Sequence, residues 1–215
     1  MPSNIVRVET TPKIGEGMRD VRGDSVKRQL AADHNIEIGS VRSIVGFLID
    51  SEIDSTQVNE RVDDVFADPI IEESVTDCLH LDNEELFSEE PDMVVTIGFK
   101  PGVTDNPGKA ALDGFKTIFP NAGENARVST YITYSFTSVP DGIDVDWLSK
   151  QLHNGLIERA ICSLKGEASA KIEYSPVEPI EYTAPATIDL EISDEELMKL
   201  SEEGLLALNL EEMQT

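Results

Sequence analysis

Three histidines, two cysteines and many carboxylates are the residues of this chain able to do chemistry, and their spacing limits what that chemistry can be. His34, His80 and His153 stand far apart, with no histidine or cysteine neighbour at the separations that tetrahedral metal sites use. Cys78 and Cys162 fall at or near strand-like stretches, where a small buried hydrophobe is the expected role. Two cysteines make no disulfide framework, which fits a reducing compartment. Acid–base work needs two carboxylates held in one cleft, and no spacing here implies such a pair. No serine sits in a G-x-S-x-G turn and no phosphate-binding P-loop is present. The run GEGMRDVRG at 15–23 follows a strand pattern, but Asp20 stands where a dinucleotide fingerprint needs its third glycine. It reads as a loop leading into a helix. In VTDNPG at 103–108, Asp105 or Asn106 is placed to cap a helix and Pro107 suits its first position. No catalytic residue, metal site or cofactor site is expected in the chain.

The elements that would position such residues come in two copies. IVRVETT (5–11) reads as a strand followed by Lys13, Gly15, Asp20 and Gly23. MVVTIGF (93–99) reads as a strand followed by Lys100, Gly102, Asp105 and Gly108. Val26, Leu30 and Ile36 mark a helix after the first turn, and Ala111, Leu112, Phe115, Ile118 and Phe119 mark one after the second. Each hands over to a strand, SVRSIVGFLID (40–50) or RVSTYITYSF (127–136). In the latter, Tyr131, Thr133 and Ser135 alternate with Ile132, Tyr134 and Phe136, as in a strand with two differently wetted faces. FADPIIEESV (66–75) then aligns with LHNGLIERAI (152–161) without a gap. Trp147 shares helical spacing with Leu148 and Leu152, which makes it a core or interface residue. The fold class expected is α+β: two ferredoxin-like, split βαβ modules with antiparallel sheets and helices on one face, packed as a pseudo-dimer. The modules span 1–80 and 92–165, with an acidic connector at 81–91, an extended proline-bearing spacer at 166–192 and a helical segment at 193–215.

Charge narrows the function classes. Among 215 residues there are 42 acidic and 17 basic ones, a net charge of -25. Such a surface repels phosphate backbones and anionic lipid, so nucleic-acid and membrane-surface roles are disfavoured. Tyr131 and Tyr134 are the only sheet aromatics able to stack bases, and the basic rim that RNA binding needs is missing. No apolar run reaches a bilayer span and no signal-peptide core opens the chain, so a cytoplasmic location is expected. In the tail, Ser193 and Glu196 form a capping-box pattern, and EEGLLALNLEEM continues it as another helical run. Leu205, Leu206, Leu208, Leu210 and Met213 make that run too apolar for a free tail, so it calls for a partner surface.

The stretches MVVTIGFKPGVTDNPGKAALDGF, FADPIIEESV and SDEELMKLSEEGLLALNLEEM resemble the N-terminal part of phosphoribosylformylglycinamidine synthase, a purine-pathway ligase. Modules 1–80 and 92–165 each resemble its PurS-type small subunit. The K-x-G-x-x-D-x-x-G pattern is intact from Lys100 to Gly108, whereas the first copy carries two extra residues between Gly15 and Asp20, which implies an altered loop contact there. The resemblance implies a non-catalytic assembly region that docks onto the ATP-dependent synthetase and helps couple it to the glutaminase. ATP and magnesium would belong to the synthetase part, whose histidine-containing motif lies beyond this sequence. The chain is then the N-terminal region of a longer enzyme, ending near Thr215. The partner contacts implied are the Lys100, Gly102, Asp105 and Gly108 turn and the apolar tail from Leu205 to Met213. The alternative reading is a tandem regulatory domain that binds a small metabolite such as an amino acid.

Overall fold

The computed structural model describes residues 4–15, 17–83, 89–167, 192–204, 206 and 208–214. The chain divides into two compact units, 1–178 and 179–215. In the first unit the order is β1 (Asn4–Pro12), α1 (Val21–His34), β2 (Ser40–Ser51), α2 (Ser55–Glu60), α3 (Val62–Val65) and β3 (Glu72–Thr76), then β4 (Met93–Phe99), α4 (Asn106–Ile118), β5 (Arg127–Thr137), α5 (Val145–Leu152) and β6 (Glu158–Leu164). The class is α+β, as expected.

The six strands form one antiparallel sheet in the order β3-β1-β2-β5-β4-β6. Both halves share it, which corrects the expectation of a separate sheet for each module. The central strands β2 and β5 do not bend into hairpins. Each is long enough to pair with its own half along one edge and with the other half along the opposite edge. The register between them is that of a two-fold axis: Val45 faces Ile132, and stepping outward Val41 faces Phe136 while Ile49 faces Val128.

Directly opposed residues share a face of the sheet, and side chains alternate along each strand. Val6, Val8, Val41, Phe47, Ile49, Val95, Ile97, Ile132, Tyr134 and Phe136 therefore fall on one face, and the helices cover it in two clusters. One cluster packs α2 and α3 of the first half with Phe115 of α4 and its C-cap residue Phe119 from the second. The other packs Val26 and Leu30 of α1 with Leu148 of α5 and the strands of the second half. Each core thus takes a helix from the opposite half. Trp147 joins the second cluster as a half-buried residue, edge-on to His34 at 5.0 Å between ring centroids.

The duplicated lysine–glycine–aspartate–glycine turns are explained at the level of single bonds. Asp20 caps α1 by accepting from Gly23 N (2.7 Å) and ties the helix to β2 by accepting from Ser43 N and Ser43 Oγ (2.8 Å). Asp105 caps α4 through Gly108 N (2.7 Å) and accepts from Thr130 N (2.6 Å) and Thr130 Oγ1 (2.9 Å) on β5. A Cβ on Gly23 would lie 2.2 Å from the Val41 carbonyl oxygen, and one on Gly108 would lie 2.5 Å from that of Val128. Glycine is therefore required where the first helical turn meets the strand. Lys13 Nζ donates to the Pro69 carbonyl, and Lys100 Nζ does the same to that of Gly155. The two extra residues of the first copy are taken up in a small excursion, where Gly15 and Met18 exchange backbone bonds of 3.2 and 2.8 Å. Asp20 keeps its contacts. It is Asp105, not Asn106, that caps α4, and Pro107 occupies the second helical position.

Asp20 is 3% exposed, so removing its carboxylate strands two backbone N–H groups. Asp20→Ala is expected to lower the unfolding free energy by about 2–4 kcal/mol. Urea denaturation checks this, with Asp105→Ala as the matched change in the second half.

Candidate functional site

The face of the sheet opposite the helices carries Arg7, Glu9 and Thr11 on β1 and Tyr131, Thr133 and Ser135 on β5. This face of β5 is closed: Tyr131, Thr133 and Ser135 are 2–4% exposed, which corrects the expectation of a wetted polar row. The polar atoms are satisfied among themselves. Thr96 Oγ1 and Thr133 Oγ1 lie 3.0 Å apart, and Tyr131 Oη donates to Glu9 Oε1 at 2.6 Å while accepting from Arg7 at 3.1 Å. The other Glu9 oxygen accepts the His80 backbone N–H at 2.7 Å. A short 3-10 turn, His80–Asp82, is thereby fixed to the sheet.

His80 is fully buried, and its Nε2 faces two carbonyl oxygens, of Glu9 and Glu73, each at 3.1 Å. Carbonyls only accept, so Nε2 carries the proton and Nδ1 is a bare acceptor, which has no hydrogen-bond partner. Burial pushes the His80 imidazole below its ordinary 6.5, against the pull of the Glu73 and Glu9 carbonyls. Burial also lifts the Glu9 carboxyl above its ordinary 4.5, opposed by the Tyr131 hydroxyl, the His80 N–H and Arg7. Tyr131 is pushed up by burial and by the Glu9 charge.

These shifts act on stability in opposite directions. Stability linked to His80 is present above pH 6.5 and is lost as pH falls toward its lowered value. Stability linked to Glu9 is present below pH 4.5 and is lost as pH rises through its raised value. His80→Gln is therefore expected to flatten the fall in unfolding free energy between about pH 7 and pH 5, and Glu9→Gln to remove the opposing rise. Urea titrations across that range check both.

Chemically, the cluster fastens segments together. Glu9, Tyr131 and His80 are all closed to solvent, so no substrate reaches the carboxylate or the bare imidazole nitrogen. Sequence alone does not single out Arg7, Glu9 or the role of His80. The alternation of Arg7, Glu9 and Thr11 along β1 is visible in it, but their partner Tyr131 is brought in only by the pairing of β2 with β5. Cys78 is exposed, which corrects its expected burial, and Cys162 is half-buried beside the second core cluster. Among the described residues, no group of three histidine, cysteine or acidic side chains is placed to hold a metal ion.

The second unit contains α6 (Asp194–Glu203) and α7 (Leu210–Met213). The expected Ser193–Glu196 capping box is present. The continuous helical run expected over 202–213 is not: α6 ends at Gly204, and Asn209 opens α7 with a capping box of its own to Glu212. Ser201 Oγ locks the turn, donating to the Leu208 carbonyl (2.8 Å) and accepting from its N–H (3.0 Å). Met213 is buried within this unit, as are Leu197 and Ser201. Met198, Leu206 and Leu208 are 40–49% exposed, and Leu210 is half-buried. Met198, Leu208 and Leu210 line an open groove of about 860 Å³ together with Asp194, Glu195, Lys199, Ser201 and Glu202. Leu205 lies outside the described residues. Of the turn residues, Lys100 and Asp105 spend their polar atoms inside the chain, Gly108 is buried and Gly102 is exposed with φ at 84°.

Compared with known proteins, the chain matches no family model and no curated protein. No helix among the described residues is long and apolar enough to cross a membrane.

Proposed function

We propose that the chain is the non-catalytic N-terminal assembly region of a phosphoribosylformylglycinamidine synthase, a cytoplasmic ligase of purine biosynthesis. Its two halves are PurS-like modules fused into a pseudo-dimer, and the chain docks onto the ATP-dependent synthetase and helps couple it to the glutaminase. The observation that supports this is the two-fold register about Val45 and Ile132, which is how two copies of a dimer-forming subunit pair when one chain carries both. Fusion also removes the concentration dependence of bringing two subunits together. The groove along α6 and α7 supplies the docking surface, whose apolar side chains are joined by three carboxylates and one lysine, Lys199, a net negative lining that suits a basic partner patch.

The test is sedimentation of the chain with the separately expressed synthetase polypeptide, beside a Leu206→Glu/Leu208→Glu variant. Both leucines are exposed, so the variant is expected to fold and to bind on the order of a hundredfold more weakly. Absence of binding by the unaltered chain, or equal binding by the variant, contradicts the docking assignment.

A further inference from the structure

A cavity of about 200 Å³ lies on the helical face of the sheet, and its floor includes Val45 and Ile132, the pair at the centre of the two-fold register. At roughly 30 Å³ of liquid volume per water molecule, it has room for a small organic molecule and excludes a nucleotide. Phe47 and Ile97 complete an apolar lining, a surface that gains by burying a hydrocarbon group. Two charged side chains of opposite sign, Arg22 and Glu158, line the same cavity. Among the described residues they form no ion pair with each other or with any other group. Among the described residues the Arg22 guanidinium makes no hydrogen bond, while Glu158 accepts from Asn154 N through Oε2 at 2.6 Å and Oε1 has no bond of its own.

The two halves differ at this place. In the duplicated turn, Arg22 stands one residue before Gly23, and its counterpart before Gly108 is Pro107, which lines the cavity too. Arg22 is thus a departure from the repeat, whereas Glu158 keeps its counterpart in Glu72, whose Oε2 accepts from Asp68 N at 3.0 Å. The aspartate caps, the close-approach glycines and the lysine–carbonyl bonds of the two turns are duplicated and explained by folding, whereas the exposed Arg22 guanidinium takes no part in them.

We propose that this cavity binds an apolar α-amino acid. Its carboxylate pairs with the Arg22 guanidinium, its ammonium with the Glu158 carboxylate, and its hydrocarbon side chain lies on Val45, Phe47, Ile97 and Ile132. A zwitterion with an apolar tail satisfies both charges at once. A fatty acid leaves Glu158 without a counter-ion, and an alkylamine leaves Arg22 without one. The inference is independent of the assembly role, because binding is read on this chain alone with no synthetase present.

Calorimetric titration of the whole chain with L-valine, L-leucine and L-methionine tests it, alongside 4-methylpentanoate and 3-methylbutylamine, which each lack one charge of leucine. Saturable binding of at least one amino acid is expected, with both single-charge analogues bound more weakly. Arg22→Ala and Glu158→Gln are each expected to weaken binding by roughly tenfold to a hundredfold. Arg22 is exposed, and glutamine keeps an acceptor for Asn154 N, so both variants retain the fold, which circular dichroism checks. No saturable binding of any of the three amino acids at millimolar concentration overturns the proposal. So does binding that neither variant changes.

Discussion

Residues 1–83 and 84–215, expressed separately, are each expected to fail to fold as monomers, and mixing them is expected to restore a cooperative transition. The cores are shared between halves. Val6, Val8, Ile49, Val58 and Val62 of the first half close around Phe115 and Phe119 of the second, and Val26 and Leu30 of the first close the core that Met93, Val95 and Phe136 begin. Cutting between the halves removes one helix from each cluster and exposes β2 and β5 along their full pairing edge. Losing several fully buried side chains at roughly 1.5–3 kcal/mol each is as large as the roughly 5–15 kcal/mol by which a native domain is stable. The two-fold register leaves one way out, since a half can pair with a second copy of itself through the same edge. Sedimentation with thermal circular dichroism separates the cases. An unfolded monomer or a folded homodimer agrees with the shared core, whereas a folded monomer with a sharp melting transition contradicts it.

Gly46→Val is the point substitution expected to do most harm. Gly46 faces Tyr131 across the β2–β5 seam, and the tyrosine ring lies over the space where a side chain would be. A Cβ at Gly46 would stand 2.0 Å from Tyr131 Cζ and 2.3 Å from both Cε atoms. The ring would have to leave, taking its hydroxyl from Glu9 Oε1 and leaving a buried carboxylate short of a donor. Overpacking and the lost bond together are expected to cost about 3–5 kcal/mol. In a Tyr131→Ala background the same valine has room, so the two changes are expected to cost less together than the sum of their separate costs. A double-mutant cycle in urea reads this, and strict additivity would refute the stacking account.

Much of this was legible from residue order. The paired lysine–glycine–aspartate–glycine turns and the alignment of 66–75 with 152–161 place the repeat correctly. Each residue in those turns acts locally, as a cap, as a close approach of helix to strand or as a lysine closing on a carbonyl. What escaped depends on pairings distant in sequence. Nothing local says that β2 and β5 share an edge, and that edge decides that Tyr131 covers Gly46, that Glu9 is buried and that the helices cross between halves. The break in the tail was written in Asn209 and Glu212, the same capping spacing as Ser193 and Glu196, but the run of leucines around it reads more strongly as one helix. Arg22 carries no local signal at all, since only the packing of the strands shows that it lines an apolar floor together with Glu158.

The most direct measurement on the central claim is turnover by the separately expressed synthetase polypeptide, with and without this chain, followed as ATP-dependent amidation of formylglycinamide ribonucleotide with ammonia as the nitrogen donor. The assembly account expects the chain to have no activity alone and to raise the synthetase's rate in step with binding, with the Leu206→Glu/Leu208→Glu variant losing both effects. A folded synthetase that neither binds the chain nor gains activity from it contradicts that account.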